Sequence, residues 1–411
     1  MKGLSCVAIA ASTSHALATL ARAMVSLATI WYLSGLSHRP DLLVELYILL
    51  ELPYLLLLIP SGRWADRKDR YPLVLSLSAL RVAAMVGFAL WTQYESTVIS
   101  IMVFLLVGET ITAILQPARS AWTTEMVPLG QRANLAAINQ GGTAIAGMIG
   151  PALGGILYAE GRLKWVVAAA AGLMLLSVGL ITLLGRGQIP PRRVVRPHSD
   201  PTPPPSGFQF LREHPGMLMM VGFFALTNAL NNVEAVLVPL LAHQLLHLVA
   251  WEFGALALAS GGGAIAGSWL APRFLRGRSL RWAFGSMGIF GSAIVGLGLA
   301  YNVEWLTGFY IVLGLSFSVT EIITSTLWQI MVPDAVRGQV MGALSTVARA
   351  ANPMGYVLAG ALDVWLGIRG GLVTGGLAII ALSVIFIGSR TVSQLDLTSK
   401  EPQEGAKFRS S

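Results

Sequence analysis

Four glutamates interrupt stretches that are otherwise apolar: Glu51, Glu109, Glu234 and Glu321. Three arginines do the same, Arg22, Arg81 and Arg349. A charge in hydrocarbon is costly, so such residues face a protein interior or a wet path and mark ion or substrate routes by default. A carboxylate placed there can take up and release a proton as its surroundings alternate between wet and dry, because burial favours the neutral form and a nearby cation the charged one. Glu109 and Glu321, several turns from any loop, and Glu234 are the proton-coupling candidates. Their alternative role is a structural ion pair, with Arg22 as the partner, or a hydrogen bond. Asn228, Asn231 and Asn232 fall at i, i+3 and i+4, on one helix face. They would offer donors and acceptors to a polar substrate or to another helix. His15 lies in a polar run with Ser12, Thr13 and Ser14 and is a weaker candidate for carrying a proton.

The elements that must hold these groups are spanning helices. Of the 411 residues 55% are hydrophobic and only 12% charged, with a mean hydropathy of +0.68, whereas a soluble domain carries about 25% charged residues. A span needs roughly 20 predominantly apolar residues. Twelve stretches qualify: 7–34, 41–60, 72–92, 97–117, 133–158 and 164–184 in the first half, then 217–241, 251–272, 282–300, 304–329, 338–361 and 370–390. The first is too long for a signal core and is expected to stay in the protein. Of the 28 Lys and Arg, only Arg39, Arg162, Lys164 and Arg369 fall in the loops of one side, and Arg22, Arg81 and Arg349 within spans. All others collect on the opposite side, which places both termini in the cytoplasm. The net charge of +8 is therefore topology, not a nucleic-acid face.

Residues 186–215 are rich in Pro and Arg, as an extended linker is. The expected organisation is an N-terminal six-helix bundle (1–188), a cytoplasmic linker (189–214), a C-terminal six-helix bundle (215–393) and a disordered tail (394–411). A weak internal repeat supports two related halves: Gly62-x-x-x-Asp66-Arg67 after the second span, and Gly267-x-x-x-Ala271 followed by Arg273, Arg276 and Arg278 after the eighth. Transporters of two pseudo-symmetric bundles are built in this way, with the substrate near mid-membrane.

Several strings resemble the major facilitator superfamily. Gly62-x-x-x-Asp66-Arg67-x-x-Arg70 is similar to its signature between the second and third spans, with Asp69 where many members have glycine. Gly150-Pro151-x-x-Gly154-Gly155 in the fifth span resembles the motif of its proton antiporters. In physical terms the glycines admit a close helix and the proline bends its own. Pro117-Ala118-Arg119-Ser120-Ala121 with Glu125, and Gln329-Ile330-Met331-Val332-Pro333-Asp334 with Arg337-Gly338, resemble its drug and siderophore exporters, the enterobactin-exporter-like branch. The resemblance implies an all-α membrane protein with the major facilitator fold. Spans 1, 4, 7 and 10 would line a cavity where Arg22, Glu109, Glu234 and Glu321 converge, with Glu51 and Arg81 nearer gate or packing positions. It also implies a gate of Gly62, Asp66, Arg67, Arg70 and Arg119, in which Asp66 caps the helix starting near Gly338. The arginine usual early in the fourth span is absent.

Other chemistry is poorly served. No Gly-x-x-x-x-Gly-Lys-Ser/Thr string cradles a nucleotide phosphate, Cys6 is the single cysteine, and the six histidines lack metal-ligand spacing, with His243 and His247 a weak lead. No enzyme, metal or cofactor is expected. The reading is a monomeric, proton-coupled exporter of a siderophore-type metallophore or amphipathic drug in the bacterial inner membrane. Its partners are the small-molecule substrate, protons and the bilayer. A lipid or lysolipid flippase and a solute importer are the alternatives.

Overall fold

The computed structural model describes residues 6–36, 41–67, 69–94, 97–185, 207–275 and 280–389. Among them the chain is helical: α1 (Cys6–Ser34), α2 (Asp41–Arg67), α3 (Arg70–Trp91), α4 (Val98–Glu125), α5 (Arg132–Gly185), α6 (Gly207–Glu213), α7 (Pro215–Leu240), α8 (Ala250–Leu275), α9 (Leu280–Gly298), α10 (Val303–Met331) and α11 (Asp334–Gly388). Ten helical segments among the described residues are long and apolar enough to cross a membrane.

Two of the helices cannot be straight rods. At 1.5 Å per residue the 54 residues of α5 would run about 80 Å, far beyond a bilayer of about 30 Å of hydrocarbon. Arg162 takes the left-handed conformation (φ 59°) and divides α5 into arms Arg132–Glu160 and Arg162–Leu183. Gly367, at φ 70° and ψ 172°, breaks α11 in the same manner. A side chain there would be strained, so glycine is the fitting residue. Arg369 ties this second turn down, donating from Nη1 to Gly298 O at 3.0 Å and Ala300 O at 2.7 Å. Both turns fall where the sequence places loops between spans.

Residues group into two units, Met1–Ser199 with Pro239–Gly261, and Asp200–Val238 with Gly262–Ser411. In the first unit α1 is the hub. Its Ala21, Met24, Val25 and Ala28 pack with Val82 and Phe88 of α3, Ile101 of α4 and Leu163, Val166 and Val167 of α5. Many large apolar side chains remain exposed, Ile99 at 76% and Trp269 at 82% among them. A water-soluble monomer seldom carries so much apolar surface, and lipid accounts for it.

Three details depart from the sequence reading. The helix expected to stop at residue 60 continues to Arg67, so Gly62, Asp66 and Arg67 end a helix instead of forming a loop. Residues 207–213, expected in the extended linker, form α6, which packs on α11; most of the remaining linker, and the expected tail, lie outside the described residues. Trp31 stands near the end of the first span, where the sequence pattern places tryptophans at a membrane interface, yet it is buried. Its ring stacks on Phe253 and meets His243 edge-on at 4.7 Å. That packing, beside a π-helical turn at Leu241–Leu245, also accounts for His243, the weak metal lead.

Candidate functional site

In the first unit the buried charges form one cluster. Glu109, 9% exposed, sits on α4 with each carboxylate oxygen engaged. Oε2 accepts from the Tyr54 hydroxyl of α2 at 2.9 Å. Oε1 faces Arg22 Nη1 of α1 at 3.9 Å, which supplies charge but is too long for a hydrogen bond. The Arg22 side chain is half exposed, so the pair is open on that side. Arg81 lies within electrostatic reach of Glu109, Arg22 and Tyr54. Arg81 is buried where α3 packs on its neighbours, beside Ser78, Leu115, Arg119 and Met174.

His15 lies seven residues before Arg22, two turns along one face of α1. Its Nδ1 is 2.9 Å from Arg119 Nη1. A guanidinium has only donors, so Nδ1 must accept and the imidazole carries its proton on Nε2. Protonating Nδ1 would set two donors against each other and break this contact. Arg119 is 8% exposed and reaches His15 inside the bundle. Next to His15, Ser14 Oγ pairs with Ser177 Oγ of α5 at 2.7 Å, which fixes the register of α1 in the unit.

Of the remaining gate candidates, Arg70 at the start of α3 forms an ion pair with Glu125 at the end of α4. The side chains of Asp66 and Arg67 lie outside the described residues, so the expected cap on the helix near Gly338 falls there too.

The glycines of the fifth-span motif are sites of helix contact. A Cβ on Gly150 would stand 2.6 Å from Ala23 Cβ, and one on Gly154 2.7 Å from Met24 O, both on α1. A Cβ on Gly155 would stand 2.3 Å from Ala250 O on α8, where Gly254 answers with 2.6 Å to Pro151 O. Backbones approach this closely only when no side chain intervenes.

In the second unit the Glu234 carboxylate accepts from the Tyr310 hydroxyl of α10 at 2.6 Å, the same carboxylate–phenol pairing as Glu109 with Tyr54. Asn232 donates from Nδ2 to Asn352 Oδ1 of α11 at 3.1 Å, beside the close approach of Gly355 to Ala229 O. This is the interhelical alternative for that residue, while Asn228 and Asn231 are half-buried. Glu321 is exposed, unlike Glu109. Sequence reasoning missed Tyr54, Tyr310 and Asn352 as partners. The available signal was a phenol or amide deep inside a span, away from the interface where tyrosines collect.

Apolar spanning helices in two units, each holding a carboxylate–phenol pair, define a membrane transporter and not an enzyme. The chain belongs to the Major Facilitator Superfamily, whose family model matches residues 11–355. It is 29% identical over 363 residues to the multidrug efflux pump Tap of Mycobacterium tuberculosis, covering 84% of each chain. That similarity is to a drug pump and not to the expected enterobactin-exporter branch. The fold matches a bacterial homologue of the human lysosomal transporter Spinster in its inward-facing, unoccupied conformation (TM-score 0.70, 16% identity, 97% and 98% of the two chains). It also matches a peptide transporter POT in complex with alafosfalin (TM-score 0.74, 15% identity, 96% of each).

Proposed function

We propose that this protein exports amphipathic, drug-like molecules across the bacterial inner membrane in exchange for protons, by alternating access. The observation that supports it is the Arg22–Glu109–Tyr54 arrangement: a buried carboxylate with a cation near one oxygen and a phenol on the other. Such a group exists in two protonation states that differ in what they attract. Ionised, and only loosely engaged by the half-exposed Arg22, it attracts a cationic drug; protonated, it does not, so drug and proton compete for one carboxylate. The similarity to Tap favours a drug as cargo.

The full architecture in this reading is twelve spans with both termini in the cytoplasm, acting as a monomer. Glu234 and its Tyr310 partner are the corresponding proton candidate of the second unit, Glu321 faces the substrate path, and Asn228 and Asn231 line it. Gly150, Pro151, Gly154 and Gly155 act as a rigid seal, and Asp66 latches the cytoplasmic side. Asp66→Asn lowers transport at unchanged protein level; transport equal to wild type removes the latch.

The test of the function is flux. Purified protein in liposomes, given an imposed pH gradient, accumulates a fluorescent cationic dye, and collapsing the gradient with an ionophore stops it. Dye movement that ignores the gradient rejects proton exchange. Movement of labelled phospholipid instead of dye assigns the protein to lipid flipping.

A further inference from the structure

The two buried arginines of the first unit share a cavity that the proton step leaves unused. Arg81 of α3 and Arg119 of α4 line it with Ser78, Val82, Leu115 and Met174. Both arginines are 8% exposed and Ser78 is 4%. Arg119 spends Nη1 on His15, yet its Nε has no hydrogen-bond partner among the described residues, and neither has Ser78 Oγ. Buried donors are almost always satisfied, and leaving one unmade costs more when it is charged. Two orphaned donors on one cavity wall therefore point to an occupant.

The wall chemistry narrows what the occupant is. Guanidinium groups only donate, and a serine hydroxyl can donate as well, so the site suits an acceptor. The wall brings two formal positive charges, while the neighbouring carboxylate, Glu109, is already engaged by Tyr54 and Arg22. A water would satisfy the donors but leave the charge. The space suits a particle of about one water's size, which excludes an organic substrate. Apart from Ser177, whose hydroxyl is already paired with Ser14, the rest of the wall is apolar and suits a weakly hydrated ion.

We propose that this cavity binds one small inorganic anion, chloride in the cell, held by Arg81, Arg119 and Ser78. The ion offsets one of the two positive charges by which Arg22, Arg81 and Arg119 exceed Glu109, and fastens α3 to α4. Its binding is a property of the first unit alone and does not depend on which molecule is exported.

The test uses the full-length protein purified in detergent with gluconate as the only anion. Fluoride, chloride and bromide are titrated at constant ionic strength while the thermal unfolding midpoint is followed. The expected result is a saturable rise with chloride, and an apparent affinity about tenfold weaker in Ser78→Ala, which loses one hydrogen bond to a charged group. Anomalous scattering from a bromide-soaked wild-type crystal locates the ion between α3 and α4. A wild-type midpoint equal in chloride and gluconate overturns the proposal. So does an unchanged chloride response in Ser78→Ala, or a bromide peak only elsewhere.

Discussion

Replacing Gly154 by alanine tests the packing that holds the buried cluster in place. The added methyl carbon would stand 2.7 Å from Met24 O and 2.9 Å from Met24 Cα, where ordinary contact begins near 3.4 Å. The obstruction is the backbone of α1, the hub of its unit, so no side chain can turn away and the helices must part by several tenths of an ångström. Overpacking of this kind costs about 1–3 kcal/mol. Gly147, two turns earlier on the same helix, has open space at its Cβ position, so Gly147→Ala gains the same helix propensity with no clash. The propensity term of about 1 kcal/mol cancels between the two variants, and their difference isolates the contact. A gap of about 1–3 kcal/mol is roughly a 5- to 150-fold difference in the ratio of unfolded to folded protein. Unfolding both variants in mixed micelles by titration with SDS, read by tryptophan fluorescence, measures it. Equal stabilities would refute the close approach of α1 and α5.

Tyr54→Phe removes the donor to Glu109 Oε2 and leaves a buried acceptor unmade. Stability falls by about 1–3 kcal/mol and gradient-driven export falls with it, read in liposomes. His15→Phe deprives Arg119 of its acceptor, and the variant is less stable than wild type by a similar margin of about 1–3 kcal/mol, measured by the same SDS titration. For Asn232 and Asn352, a double-mutant cycle of alanine variants yields a coupling of about 0.6 kcal/mol and at most about 1.7 kcal/mol, the range of interhelical hydrogen bonds in membranes. Additive effects would mean that the two amides do not meet.

Much of the fold was legible because hydrocarbon permits few solutions: a spanning segment is a helix or a closed barrel, and long apolar runs are helices. Gly367 and Arg162 lay in short polar breaks between such runs, so the turns could be placed. The end of α2 could not. Gly62 to Arg67 is charged enough to read as a loop, yet it continues the helix beyond the apolar run, because a helix does not stop where the hydrocarbon does.

In the site, Glu109 and Arg22 were recognisable one by one, since each is a charge in an apolar run. Their neighbours were harder. Arg81 lies eleven residues into α3 and Glu109 eleven into α4, each about 16 Å from its helix start. The two helices run in opposite directions, so both groups sit well inside the unit. Depth counted from helix ends could have paired them, whereas Arg81 stands in none of the recognised motifs. Tyr54 and Tyr310 gave a weaker signal, because a tyrosine in a span is usually read as apolar surface. Contacts such as Gly155 with Ala250 involve backbone alone, and no pattern of side chains reports which helix a glycine will meet.

The most direct test of the central claim is proton release. The full-length protein, purified and weakly buffered, is mixed with a transported drug while pH is followed, for wild type, Glu109→Gln, Glu234→Gln and Glu321→Gln. The account predicts that wild type releases protons on binding, that Glu109→Gln still binds the drug but releases none, and that Glu321→Gln behaves as wild type. Undiminished release from Glu109→Gln would contradict it.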